Sequence, residues 1–247
     1  MASLLGAHET TAGTERHAFA VAPVAAISGG VVILLLVVSG RYGYHRDELY
    51  FLAAGHHLAW GYPDQPPLAP LLARVLSNLA PGSVSVLRVP SSLATGATVA
   101  LGAASARELG ADRWAQTLAA AVLASGGVVL GTGHLLSTAT FDLLAWAVLV
   151  WLVLRLLRGA DQRLWLVVGV VAGVGLLDSD LVAFLLIAIG VGLVLTGPRP
   201  VLRSPWLWIA ALLAAVMWAP YLVWQAQHSW PELTVSRSIA AGHSGTS

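Results

Sequence analysis

Six long apolar runs joined by short polar connections constrain this chain more than any other feature. They are Val21–Ser39, Val84–Ala106, Trp114–Leu130, Ser137–Leu157, Leu164–Thr196 and Pro205–Trp224. Most have the length of about 20 residues at which a helix crosses a hydrocarbon layer roughly 30 Å thick. Leu164–Thr196 is too long for one crossing at about 1.5 Å per residue, and Asp178-Ser179-Asp180 interrupts it near its middle. It reads as a hairpin of two short helices, which brings the expectation to about seven spans. The expected fold is all-α, a polytopic membrane helix bundle over residues 21–230. The Gly, Ala and Ser scattered through the runs suit close helix packing in a bilayer.

Composition agrees. Charged residues make up 10% of the chain, against about 25% in soluble domains, and the mean hydropathy is +0.77. A net charge of +1 gives no electrostatic case for nucleic acid. The absence of cysteine excludes disulfides and thiolate metal sites. Residues 1–20 are polar and rich in small side chains, as a disordered cytoplasmic tail would be. A signal peptide is a poor reading, because Glu9 and Glu15 precede an apolar run too long for one.

Arginine placement sets the orientation. With the N-terminus inside, the short loops bearing Arg107 and Arg113, then Arg155, Arg158 and Arg163, then Arg199 and Arg203 are all cytoplasmic. Arg41, Arg46 and Arg74 in the first loop count against this, but the short loops outweigh a longer one. The first loop, residues 40–83, and the hairpin tip are then extracytoplasmic, and residues 231–247 form a final outer loop. Asp47, Glu48, Asp142, Asp178 and Asp180 consequently gather at the outer surface. An Asp in a span costs roughly 2.5–3.5 kcal/mol to insert, so Asp142 is expected to face a polar cavity.

Within the first loop, Arg46–Trp60 has the spacing of an interfacial helix. Phe51, Ala54 and Leu58 follow Asp47 at 4, 7 and 11 residues. That puts Asp47 at the head of an apolar stripe and turns Glu48 about 100° away, so the two acids are expected to do different jobs. Early acids also suit the positive end of a helix dipole. Gly61 is expected to end this helix, and Pro66 or Pro67 to begin a second one with Asp64 or Gln65 near its N-cap. His56 and His57 diverge by about 100° on a helix without an H-x-x-x-H spacing, so interfacial packing is favoured over a metal site. No metal or cofactor is expected, a divalent cation on these His and acidic residues being the alternative. Gly126-Gly127 lacks the strand-then-helix context of a phosphate loop, so no nucleotide site is expected.

The run GYHRDELYFLAAGHHLAWGYPDQPPLAPLLARV (residues 43–75) resembles the first extracytoplasmic loop of bacterial family-39 glycosyltransferases. These belong to a superfamily with protein O-mannosyltransferases and the aminoarabinose transferase of lipid A. Ser137–Arg158 and Ala219–Leu233 extend the likeness. It implies the N-terminal half of a GT-C-like enzyme that takes sugar from a polyprenyl-phosphate carrier, usually with inversion. The acceptor would be a hydroxyl on a lipid, protein or glycan. The family's candidate general base maps onto Asp47 with Glu48 as its neighbour, and its second acidic position onto Asp142. A positioned carboxylate takes the proton of the attacking hydroxyl, and cations stabilise the leaving phosphate. Arg46, Arg74, Arg88 and Arg237 lie on the required side. Tyr50, Asp64, Gln65, Gln225 and His228 complete the candidate substrate-binding set, although Gln225 and His228 also fit an interfacial collar with Trp224 and Trp230.

Two departures stand out. Relatives often carry a Thr-Lys-Tyr-like stretch where this chain reads Leu177-Asp178-Ser179-Asp180, which removes a phosphate contact or creates a cation site. Relatives are also about twice as long, so residues 231–247 are expected to mark a truncation point, with a second half-protein as a partner. The competing readings are a non-catalytic or split half-enzyme scaffold, and a transporter. A transporter would place polar groups at midplane in repeated halves, whereas the acids here sit at one end and no repeat is visible.

Overall fold

The computed structural model describes residues 17–242, so the tail expectation for residues 1–16 and the outer-loop expectation for residues 243–247 lie outside the described residues. Among the described residues the chain forms helices and no strand. They are α1 (Val21–Ser39), α2 (Arg46–Gly55), α3 (Leu68–Leu79), α4 (Val84–Glu108), α5 (Arg113–Ala124), α6 (Gly127–Gly133), α7 (Thr138–Leu157), α8 (Leu164–Leu176), α9 (Leu181–Leu195), α10 (Arg199–Leu202), α11 (Pro205–Gln227) and α12 (Pro231–Ala240). The protein is an all-α membrane helix bundle.

α1, α4, α7 and α11 are each long and apolar enough to cross a membrane, and α5 with α6, bent by 58° between them, is so only if the pair is counted as one broken span. The bend lies within the third span of the sequence reading, at Ser125-Gly126. α8 and α9 have 13 and 15 residues, so a total of seven requires both of these short helices to cross.

Two cores run along the bundle. Ala20 and Val24 pack with Val99 and Ala103 of α4 and Ala120 of α5. Leu149, Leu152 and Leu156 of α7 pack with Trp165 and Val168 of α8, Val182 of α9 and Ala214 of α11. α8 and α11 pack closely because their contact face is small: a Cβ on Gly169 would lie 2.7 Å from the Ala210 carbonyl oxygen. The first turn of chain before α1 is also anchored. Gln116 Oε1 accepts from Ala20 N at 2.9 Å, and Arg107 Nε donates to His17 O at 2.9 Å.

A third, smaller core joins α2, α3 and α4 through Phe51, Ala69, Ala73 and Leu87 with Leu136. It forms a platform at one end of the bundle, called here the site end. Here the structure corrects the sequence reading in three places. α2 stops at Gly55 instead of running to Trp60. A Cβ at Gly55 would meet the Pro70 carbonyl at 2.8 Å, so the chain turns where α3 crosses it. Secondly, the buried stripe of α2 is Glu48, Phe51 and Gly55, not a stripe headed by Asp47. Thirdly, α3 has Pro67 at its N-cap and no side-chain cap. Its first free N–H, that of Leu68, donates instead to Leu177 O at the hairpin tip at 2.9 Å.

Residues 231–240, read as loop, form α12. Ser229 and Trp230 both adopt left-handed backbone angles, φ 63° and 54°, which turn the chain sharply between α11 and α12.

Candidate functional site

At the site end, a cavity of about 840 Å³ opens between the α2–α3 platform, the α8–α9 tip, the end of α11 and the start of α12. It is two-sided. Asp47, Asp64, Asp178, Asp180 and Glu232 line one part of it, with Tyr50, Gln65, Tyr221 and Gln225. Leu181, Phe184 and Ile187 of α9 and Leu222 of α11 line the other, along the span.

α2 positions Asp47 and Tyr50. Helix entry is fixed by Glu48 Oε2, which accepts from His45 N at 2.8 Å, while His45 Nδ1 accepts from Asp47 N at 3.3 Å. Asp47 is about half exposed, with Arg46 Nε 3.4 Å and His45 Nδ1 3.7 Å from its carboxylate. One turn on, Tyr50 OH donates to Asp64 Oδ1 at 2.5 Å. Burial, then the hydrogen bond and negative charge of Asp64, push the Tyr50 phenol up. This pair closes the platform side of the cavity.

Glu48 is placed elsewhere. Its side chain is fully buried beneath α2 and paired with the equally buried Arg88 of α4. Arg88 Nε and Nη2 donate to Glu48 Oε1 and Oε2 at 2.7 and 2.6 Å. The guanidinium also donates to Ser39 O and Gly43 O, and stacks 4.1 Å from the Tyr42 ring centre. Leu136 N completes the set by donating to Glu48 Oε1 at 3.0 Å. Glu48 and Arg88 were expected among the reacting and phosphate-binding groups; neither lines the cavity.

The other arginines also stay away from the lining. Arg46 is exposed at the rim beside Asp47, Arg74 Nη1 lies 3.0 Å from His56 Nδ1, and Arg237 is exposed on α12. His228 is turned outward, stacked 4.1 Å from Trp224. Gln65 is buried against the cavity with no hydrogen-bond partner on its Nε2. Gln225 is buried and central. Its Nε2 donates to Tyr62 O and Tyr221 OH, both at 3.1 Å, and to Glu232 Oε2 at 3.4 Å.

The hairpin tip supplies the remaining acids. Asp178 is 1% exposed and lines the cavity with neither carboxylate oxygen hydrogen-bonded. Burial, then the charge of nearby Asp142, push its carboxyl well above the usual range. Asp142 lies behind it, buried in α7 and hydrogen-bonded to the side chains of Ser179 and Trp146. Asp180 Oδ2 accepts from Tyr221 OH at 3.2 Å. It also shares a hydrogen bond with Glu232, whose carboxyl is pushed up to about 8 by burial, then by that bond and by the charges of Asp180 and Asp64.

The structure therefore brings together Asp47, Tyr50, Asp64, Gln65 and Gln225 from the sequence-predicted set, with Asp142 one layer behind. Tyr221 and Glu232 were missed by the sequence reading. Tyr221 stands one helical turn before Gln225, and Pro231-Glu232 is a readable helix start; nothing local says that either faces a cavity. Among the described residues, no three His, Cys, Asp or Glu side chains converge as a ready metal cage.

No curated protein and no solved structure matches the chain. A family model does, from Asp64 through Trp224, so it takes in α3 to most of α11 and leaves Asp47 just outside. With that match over most of the bundle, the chain belongs to the dolichyl-phosphate-mannose-protein mannosyltransferase family.

Proposed function

We propose that the chain moves a sugar from a polyprenyl-phosphate donor to a hydroxyl acceptor on a lipid, protein or glycan, at the extracytoplasmic end of the bundle. The observation that carries this reading is the two-sided cavity. An isoprenoid chain fits the apolar wall of Phe184, Ile187 and Leu222 within the bilayer, and its sugar then reaches Asp47 and Asp64 at the site end. Apolar and polar walls of this kind are what an amphiphilic donor needs.

In this reading the Asp47 carboxylate accepts the acceptor's hydroxyl proton. The freed oxygen attacks the anomeric carbon while the bond from that carbon to the phosphate oxygen breaks. The electron pair leaves with the lipid phosphate, and attack from the opposite face inverts the anomeric centre. Tyr50 and Asp64 bind sugar hydroxyls. Glu48 holds α2, and through it Asp47, in place. The family membership supports the reaction type, and the exposure of Asp47 to the cavity supports its role.

The test is initial transfer rate from radiolabelled polyprenyl-phosphate sugars, at saturating donor, in membranes containing the chain. Asp47→Asn keeps shape and loses charge, so turnover should fall by about 10²–10⁴ with donor binding nearly unchanged. Turnover close to that of the unaltered chain would remove Asp47 as the base. Absence of transfer from every such donor would overturn the reading itself.

A further inference from the structure

The end of the bundle opposite the acidic cavity carries a second cavity, of about 420 Å³. The α7–α8 connection supplies Gln162 to its wall, and the chain leading into α11 supplies Val201, Arg203, Ser204, Pro205 and Trp206. Among the described residues no carboxylate lines it. Asp161, the nearest acid in sequence, is turned to the backbone, where its Oδ1 accepts from Arg163 N at 2.8 Å. Arg203 is exposed in the wall. The Arg163 guanidinium lies 6.0 Å from the centre of the Trp206 ring.

Ser204 departs from the ordinary pattern of a helix start. It is the N-cap of α11, whose first-turn N–H groups make the positive end of a 23-residue helix. A serine in that position usually accepts from one of those N–H groups. Ser204 makes no such bond, is 8% exposed, and has no hydrogen-bond partner on its Oγ among the described residues. An uncapped helix N-terminus with a spare hydroxyl and arginines beside it suits a phosphate.

A second observation gives that phosphate a chain. From this end an apolar groove of about 430 Å³ runs between α8, α9 and α11. Leu202 and Leu207 line it, interleaved in sequence with the residues of the polar cavity. Trp165, in the first turn of α8, lines it too, and its Nε1 is buried without a hydrogen-bond partner among the described residues. A buried indole N–H usually finds an acceptor, and the ester carbonyl just below a lipid headgroup is one. Gly190 leaves open space on the α9 side of the groove.

We propose that an anionic phospholipid binds here, with its phosphate on Arg203, Arg163, Ser204 and the α11 N-terminus, and one acyl chain in the α8–α9–α11 groove. The site is separate from the proposed sugar transfer and does not depend on it. Basic pockets between membrane helices suit such headgroups. A lipid seated there joins three helices across the groove, and it stabilises the folded chain by mass action.

The experiment compares the full chain in nanodiscs of phosphatidylcholine alone and in nanodiscs of phosphatidylcholine and phosphatidylglycerol in equal parts. Native mass spectrometry counts the lipid retained per chain, and titration gives relative affinity. Phosphatidylglycerol should be retained in excess, and the unfolding temperature should rise with it. Arg203→Gln should weaken its binding by about 10–100-fold, as loss of a charge-assisted hydrogen bond does. Ser204→Ala should weaken it by about 2–10-fold, and Gly190→Leu, which fills the groove, should also weaken it. Arg113→Gln removes an equal charge at the same end, at the start of α5. It should change binding by no more than about fivefold, the contribution of one charge near a membrane surface.

The preference is read on the unaltered chain, so it stands even if a variant misfolds. Equal retention of the two lipids by the unaltered chain overturns the site. So does an equal loss in Arg113→Gln and Arg203→Gln, which is the mark of general surface charge. Displacement of phosphatidylglycerol by inorganic phosphate, with no effect of Gly190→Leu, keeps the polar cavity for a free anion and overturns the lipid.

Discussion

The Glu48 carboxylate accepts from Arg88 Nε and Nη2, from His45 N and from Leu136 N. Burial pushes this carboxyl up, but Arg88 and the two backbone donors outweigh it and hold it below its ordinary 4.5. A depressed folded-state value means the stabilisation is complete above the unfolded value and is lost as pH falls through the folded one. Unfolding temperature should therefore drop steeply only below about pH 4.5, and Glu48→Gln should flatten that limb. At neutral pH the same variant leaves Arg88 buried without its counter-charge, a loss of about 3–5 kcal/mol. Fluorescence-detected unfolding from pH 7 to pH 3 checks both. The defect should appear mainly as less folded protein, with a smaller loss of turnover per folded molecule than in Asp47→Asn, which should fold normally and lose turnover. That Asp47 and Glu48 point different ways was legible from their adjacency on a helix. Which one points inward was not, because the deciding partner, Arg88, stands 40 residues further on.

At the level of elements, the α8–α9 hairpin was legible because Asp178-Ser179-Asp180 breaks a run too long to cross once. The early end of α2 was not, since it answers to α3 crossing it in space. α12 was read as loop although Pro231 and Glu232 are good first-turn residues; a short polar helix with no buried residue leaves little apolar periodicity to find. Packing between elements yields its own prediction. On Gly169 of α8 a Cβ would sit 2.7 Å from Ala210 O and 2.8 Å from Ala210 Cα, both backbone atoms that cannot swing aside. Gly169→Val should cost about 1–3 kcal/mol through overpacking. Gly190 of α9 has open space around it, so Gly190→Ala should leave thermal stability in detergent unchanged or slightly raised.

For the whole molecule, the arginine pattern predicts that the α2–α3 platform faces away from the cytoplasm. The chain has no cysteine, so single cysteines report cleanly. Asn78→Cys on the exposed end of α3 should react with a membrane-impermeant maleimide on intact cells. Leu109→Cys, 70% exposed at the opposite end, should react only after lysis. The reverse pattern would place the cavity on the cytoplasmic side. The gathering of acids at one end was readable from span order alone, and the cavity confirms the company of Asp47 with Asp178 and Asp180. The part played by Glu232 needed the left-handed turn at Ser229-Trp230, which no local pattern announces. The Glu48 cluster also imposes a timetable on biosynthesis. Ser39 and Gly43 leave the ribosome first, Arg88 arrives after 40 more residues beyond Glu48, and Leu136 is 88 residues beyond it. Until the start of α7 is made, one lobe of the carboxylate has no backbone donor. The platform that presents Asp47 can therefore reach its final form only after the α5–α6 segment has been made, which makes the candidate site a late product of assembly although its first acid is translated early.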